Sequence, residues 1–137
     1  MKVKLDEYAF PPERAHRQDA GLDIRTPIDF CVRRGDSKIV STGVHVQIPY
    51  GYVGFLKSKS GLNVKFGITS EGVIDSGYTG EIVCKLYNND PNRDAYFQRG
   101  DKITQLVILP CFMDDIEIVD EIHGGDRGDN GFGSTGR

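Results

Sequence analysis

Residues 44–51 read Val44-His45-Val46-Gln47-Ile48-Pro49-Tyr50-Gly51, and this stretch decides the fold class. Apolar and polar side chains alternate from 44 to 48, which places them on opposite faces of a half-buried β-strand. The Pro-Tyr-Gly that follows is typical of a turn. We therefore predict a strand over 44–48 that a turn ends at 49–51.

Short runs of similar character recur along the chain, separated by turn-forming residues, and patterns of helical period are nearly absent. These runs cover 28–32, 38–41, 52–56, 82–87, 103–109 and 116–119. One short helical turn is predicted over 61–66. Together the runs predict an all-β sandwich or barrel.

Length and charge narrow the class of protein further. A chain of 137 residues is typical of one domain. Its 17 basic and 20 acidic residues give a net charge of -3, which argues against bulk binding to nucleic acid or to an anionic membrane surface. The sequence has no apolar run of membrane-spanning length and no signal peptide, so we predict a soluble, cytoplasmic protein.

The three cysteines are odd in number and widely spaced in apolar surroundings: Cys31, Cys84 and Cys111. This usage favours buried reduced thiols over two alternatives, disulfides and metal ligation.

The last residues differ in composition from the rest, since six of the 17 glycines fall in the last 14 positions. We predict a β domain over 1–123 and a flexible tail of the same domain over 124–137. Residues 131–136 match a GxGxxG pattern but lack the flanking strand and helix of a dinucleotide-binding fold. Backbone N–H groups and hydroxyls there could still wrap phosphate; a solubilising terminus is the alternative.

Residues 72–81, Gly-Val-Ile-Asp-Ser-Gly-Tyr-Thr-Gly-Glu, place Asp75 beside Ile74 in a glycine-bounded turn with Tyr78 three positions on. A carboxylate shielded by apolar neighbours is a candidate general base. The alternative is an aspartate that only caps the turn beside a core tyrosine.

Five segments in order resemble the motifs of the trimeric deoxyuridine triphosphate nucleotidohydrolases, the dUTPases. They are 20–24 (AGLDI), 59–62 (KSGL), 72–81, 99–106 (RGDKITQL) and 127–136 (RGDNGFGSTG). The resemblance implies a distorted jelly-roll β-barrel assembled as a homotrimer, with active sites at the subunit interfaces. It also implies that the chain hydrolyses dUTP to dUMP and pyrophosphate with Mg²⁺, which limits uracil in DNA and supplies dUMP.

The resemblance assigns roles around the nucleoside. Asp75 is expected to orient and deprotonate the attacking water, and Tyr78 to pack under the deoxyribose. The main chain at Gly72 and Ile74 is expected to read the uracil edge, while Phe132 stacks on the base.

Around the phosphates, Asp23 is expected to hold a water on the metal. The residues that the resemblance places on the triphosphate, the last four from the tail, are Lys59, Ser60, Gly61, Gln105, Arg127, Gly133, Ser134 and Thr135. The tail would then act as a lid that orders on its ligand and excludes water.

The sequence departs from the family pattern in three places. Lys59 replaces the usual arginine, Gly77 replaces a commonly acidic residue, and 67–71 reads as a short connection before the third motif.

Two other functions remain alternatives to hydrolysis of dUTP. One is dCTP deamination on the same fold, although the pairing of Asp75 with Tyr78 and the KSGL segment favour the hydrolase. The other is a regulatory module that binds a repressor protein.

Overall fold

The computed structural model describes residues 1–125 and residue 128. That part of the chain forms antiparallel β-strands and one short helix. In chain order the elements are β1 (Lys2–Leu5), β2 (Gly21–Arg25), β3 (Phe30–Val32), β4 (Ser37–Gln47), β5 (Tyr52–Lys57), α1 (Ser60–Phe66), β6 (Ile68–Ile74), β7 (Glu81–Asn88), β8 (Ala95–Phe97) and β9 (Lys102–Pro110). The prediction of an all-β protein with one helical turn is confirmed.

Seven strands form a curled sheet in the order β1-β4-β7-β6-β5-β9-β2, and β3 pairs with β8 beside it. Curling encloses two groups of apolar side chains, which form the core. The first contains Ile24, Val44, Val46, Ile48, Leu56, Ile74, Ile82 and Leu106. The second contains Val32, Val40, Ile68, Cys84, Leu86, Phe97 and Ile103. The alternation at 44–48 is thus confirmed, because its three apolar side chains are buried.

The runs predicted over 38–41 and 44–48 are one strand, β4, interrupted by a bulge at Gly43. The register of β4 against β7 shifts between Ser41 and His45, and Gly43 has a φ of 66°. A Cβ at Gly43 would also lie 2.8 Å from the Cβ of Ala9, so both backbone and packing require glycine there.

Four strands were not predicted: β1, β2, β6 and β8. The segment interpreted as a short connection, 67–71, contains the first half of β6. Its Ser70 and Gly72 are poor strand formers, but Ile68 and Ser70 are buried where the segment pairs with β7. Tertiary pairing decides this strand.

The strand predicted over 116–119 is wrong for this chain. Ile116 and Ile118 are 93% and 96% exposed, and no described residue pairs with their backbone. A strand needs a hydrogen-bonding partner, and residues 1–125 supply none for this run. We call residues 111–122 the C-terminal arm.

No helix in the described part of the chain has the length and apolar character to cross a membrane.

The cysteines occupy three different environments. Cys84 is buried, Cys31 is half-buried and Cys111 is exposed. The predicted burial is therefore confirmed for Cys84, holds in part for Cys31 and is wrong for Cys111. Burial raises the pKa of the Cys84 thiol to about 11, although hydrogen bonds with Ser70 and Thr104 act the other way. This thiol is therefore protonated at neutral pH.

A variant that keeps Cys84 alone, Cys31→Ser/Cys111→Ser, should not react with a disulfide reagent at pH 8. A pKa near 11 leaves only about one thiol in a thousand as the reactive thiolate, and burial blocks access. Absorbance of the released chromophore measures the reaction, and the same variant in denaturant is the control. Prompt labelling of the folded protein would contradict the assigned environment.

Candidate active site

Asp23 lies at the centre of a charged cluster on β2. Asp23 is 5% exposed. Its two carboxylate oxygens contact different ammonium groups: Oδ1 contacts that of Lys59, and Oδ2 contacts that of Lys102 at 2.7 Å. Burial alone would raise the pKa of Asp23, but hydrogen bonds from Lys102 and Lys59 hold it below its ordinary value. The carboxylate is therefore ionised and doubly neutralised.

A bulge between β2 and β9 brings Lys102 to this carboxylate. Asp23 pairs with Gln105, but Arg25 pairs with Lys102, and the register skips Ile103 between them. Because directly opposed residues share a face, the skip moves Lys102 onto the face of Asp23 while Ile103 joins the core.

Side-chain hydrogen bonds fix the chain where it leaves β5. Ser58 Oγ accepts the N–H of Ser70 at 2.9 Å, and Thr104 donates to the carbonyl of Lys57 at 3.1 Å. Gln105 Nε2 donates to the carbonyl of Ser58, also at 3.1 Å. Residues on β6 and β9 thus hold the segment that carries the second motif.

This segment leads directly into α1. Lys59 precedes the helix in an extended conformation and makes no side-chain capping bond, so its ammonium is free to reach Asp23. Ser60 and Gly61 form the exposed first turn, whose N–H groups have no acceptor within the helix. A Cβ at Gly61 would meet nothing within 4 Å, so the fold of this chain does not itself require glycine there.

Gly21 is required by its neighbour on β9. A Cβ at this position would overlap Oε1 of Gln105 and lie 3.0 Å from its Cδ. The glycine of the first motif therefore leaves room for the glutamine that anchors Ser58.

The third motif begins where β6 separates from β7. β6 pairs with β7 only from Ile68 to Ser70, whereas residues Glu71 to Ile74 pair with β5 alone. Among the described residues no strand covers the other edge of 71–74. Backbone donors and acceptors there are available to a ligand.

The turn after β6 holds the tyrosine in one position. Tyr78 donates its N–H to the carbonyl of Asp75 at 3.0 Å, which closes the turn, and its hydroxyl donates to the carbonyl of Glu81 at 2.8 Å. The ring lies over Gly80, where a Cβ would overlap it. The predicted shielding of Asp75 by its neighbour is wrong: Asp75 is exposed, and Ile74 points away from it into the core.

The predicted residues form two groups at opposite ends of the β5–β6 pair. Asp23, Lys59 and Gln105 lie together at one end. Ile74 pairs with Gly54, and Lys59 lies five positions further along the chain. At about 3.3 Å per residue, roughly 16 Å separate the Asp75 turn from the segment predicted to bind phosphate.

Five predicted residues lie outside the described part of the chain: Arg127, Phe132, Gly133, Ser134 and Thr135.

A protein-family model described as dUTPase matches residues 7–136. The chain belongs to the dUTPase family. A deoxyuridine 5'-triphosphate nucleotidohydrolase of Corynebacterium glutamicum is 41% identical over 138 residues, covering 98% of this chain and 93% of the relative.

Solved dUTPase structures share the whole architecture. The dUTPase of Staphylococcus bacteriophage 80alpha with dUPNHPP, a dUTP analogue, has a TM-score of 0.92 at 31% identity, covering 99% of this chain and 98% of the other. A mutant dUTPase from phage phi11 of S. aureus, described for the coordination of a structural Mg(II) ion, has a TM-score of 0.81 at 31% identity, covering 88% and 96%.

These matches confirm the predicted dUTPase family, its jelly-roll fold and its activity, hydrolysis of dUTP to dUMP and pyrophosphate. The name shared by the relatives is that of the hydrolase, which disfavours dCTP deamination.

Three residues that hold the dUTPase motifs in place were not predicted from the sequence: Lys102, Ser58 and Ser70. Lys102 lies inside the fourth motif, and its charge was visible, but only the bulge shows that it faces Asp23. Ser58 and Ser70 lie outside the quoted motifs and gave no signal beyond being small and polar beside strands.

The substitution Gly21→Ala should cause a large loss in kcat/KM for dUTP and only a small loss in the free energy of unfolding. The added methyl displaces Gln105 and breaks its hydrogen bond to Ser58, a loss of about 1 kcal/mol in unfolding free energy. The freed segment carries Lys59, so we expect a larger relative loss in kcat/KM. Steady-state kinetics and thermal unfolding, measured in parallel, test this; unchanged kcat/KM would contradict the anchoring role.

Proposed function

We propose that this dUTPase acts as a homotrimer whose active sites each combine residues from different copies of the chain. The family match over residues 7–136 supports the reaction. The shared site is supported by one observation: the Asp75 turn and the phosphate-binding motifs lie at opposite ends of β5 and β6 in a single chain. Because its substrate is an intracellular nucleotide, we also propose a cytoplasmic location.

The nucleoside end of the site comes from the third motif. Asp75 orients a water and takes its proton as the oxygen attacks the α-phosphorus and the bond to the β-phosphate oxygen breaks. Its exposure in the single chain leaves it open to substrate and to a second copy. The unpaired backbone edge at Gly72 and Ile74 binds the uracil edge.

Tyr78 selects a deoxyribose by position. Its ring lies against Gly80, and its hydroxyl donates a hydrogen bond to the carbonyl of Glu81. A ring that cannot move leaves no room for a 2′-hydroxyl on the sugar packed against it. Ribonucleotides are therefore excluded, because their 2′-hydroxyl would clash with the ring.

The phosphate end comes from the second and fourth motifs. Lys59 supplies positive charge, while Ser60 and Gly61 supply exposed N–H groups at the start of α1. Gln105 uses one N–H on Ser58, and its amide carries a second for a phosphate oxygen. The free space at Gly61 accommodates a phosphate without any change in this chain.

Magnesium fits this arrangement as an ion held mainly by the substrate. The described residues contain no group of three side chains able to cage a metal, and Mg²⁺ prefers phosphate oxygens and water with one or two carboxylates. Asp23 supplies such a carboxylate and would hold a metal-bound water. When bound, Mg²⁺ stabilises the charge that develops on the phosphates.

We propose that the tail over 124–137 forms a lid on the β domain of 1–123. Phe132 would stack on uracil. Arg127 would close over the triphosphate as a cation, and hydrogen-bond donors would come from Gly133, Ser134 and Thr135.

Trimer assembly is supported by the C-terminal arm. Its apolar side chains are largely in water in the single chain, among them Phe112 at 83% and Ile122 at 90% exposure. Exposed apolar surface of this kind is typical of a protein-protein interface. We propose that a second copy covers the arm.

Asp75→Asn should lower kcat by about a hundredfold or more, because the water loses its base. The fold should be unaffected, since the turn uses only the Asp75 carbonyl. Glu7→Gln, which removes an exposed carboxylate elsewhere, is the matched control. Pyrophosphate release measures turnover, and near wild-type hydrolysis would remove Asp75 from the mechanism.

Mixing two variants of low activity should restore activity if the site is shared; Lys59→Ala is expected to be one because the phosphates lose a cation. Asp75→Asn and Lys59→Ala homotrimers are unfolded and refolded together, and random assortment leaves both residues intact at about a quarter of interfaces. We expect dUTP hydrolysis at about that fraction of the wild-type rate. Activity equal to the mean of the two unmixed variants would place the whole site within one chain.

A further inference from the structure

We propose that Lys102 is a positioning residue that keeps Asp23 neutralised when Lys59 leaves it for the substrate phosphates. The part of the proposal that concerns phosphate rests on the proposed function. The part that concerns Asp23 stands on the charged cluster alone.

The two lysines occupy different oxygens of one carboxylate. Lys59 binds Oδ1 and Lys102 binds Oδ2, so either ammonium can leave without disturbing the other. Both lysine side chains are mostly covered, and that of Asp23 is covered almost completely. One negative charge thus has two counter-ions, which leaves an excess positive charge at the phosphate-binding motif.

A single lysine could not serve both purposes. Breaking a buried ion pair leaves an uncompensated charge, so a lone Lys59 would be held on Asp23 and withheld from phosphate. With Lys102 in place, Asp23 keeps a partner and Lys59 can move. The oxygen that Lys59 vacates then becomes free to accept a hydrogen bond from a metal-bound water.

The surroundings identify Lys102 as the partner that stays. It begins β9, where pairing with Arg25 fixes its backbone, whereas Lys59 lies between β5 and α1 beside Ser60. Arg25 cannot replace Lys102 because it is already paired with Glu13 and donates to the carbonyl of Gly100 at 2.8 Å.

A different role for Lys102 would be direct binding of phosphate as a second cation. The two roles differ in one respect: positioning acts through Asp23, and direct binding does not. Removing the Asp23 charge therefore separates them.

The first test needs no nucleotide. Thermal unfolding is measured for Lys59→Met, Lys102→Met and the double variant at one protein concentration. If either lysine can neutralise Asp23, each single change lowers the midpoint slightly and the double change lowers it by more than the sum. Adding Asp23→Asn to the double variant should recover most of that loss. Additive shifts would overturn the proposal.

The second test measures binding of dUPNHPP by calorimetry. Lys102→Met should weaken binding about tenfold in the wild-type background, the scale of one charge-assisted hydrogen bond. In an Asp23→Asn background the same change should have less than about a twofold effect. Lys102→Arg, which keeps the charge, should bind nearly as the wild type.

Each contrary result has a distinct meaning. A tenfold loss that persists without the Asp23 charge makes Lys102 a direct phosphate ligand and overturns the positioning role. No loss in either background also overturns it. If the wild type itself fails to bind dUPNHPP, the proposed function fails, and the unfolding experiment still decides whether the two lysines are interchangeable on Asp23.

Discussion

A buried carboxylate must be neutralised, and in this chain that requirement brings the functional segments together. Asp23 stays ionised inside the protein because ammonium groups reach its carboxylate, one on each oxygen. One comes from the bulged start of β9, and the other from the segment after β5. The first, second and fourth motifs are therefore held at one place by electrostatics, and the hydrogen bonds of Ser58 and Gln105 fix the distances around it.

The strands with regular alternation could be predicted from the sequence, and those decided by their neighbours could not. β4, β5 and β7 bury every second side chain, which a period of two reveals. β6 carries Thr69, Ser70 and Gly72, and it is a strand because two others flank it. The run at 116–119 shows the opposite error, since it has the pattern of a strand but no partner among the residues that the structure describes.

The family could be predicted because five motifs occur in its order, but the arrangement of the candidate site residues could not. Lys102 and Gln105 are three positions apart, which in a regular strand places them on opposite faces; the bulge at Ile103 reverses that. Likewise, the sequence does not show that the Asp75 turn and Lys59 lie at opposite ends of a strand pair. Register decides this, and register depends on contacts between distant segments.

The uncovered arm has a consequence for how this protein behaves as a population of molecules. Most of its apolar side chains stay in water when the chain folds alone, so the second copy that we propose covers them would add free energy that depends on protein concentration. In the proposed trimer, dilution would then lower the melting temperature as well as the degree of association. Before a newly made chain assembles, the exposed apolar side chains of the arm are also open to other apolar surfaces, which favours aggregation.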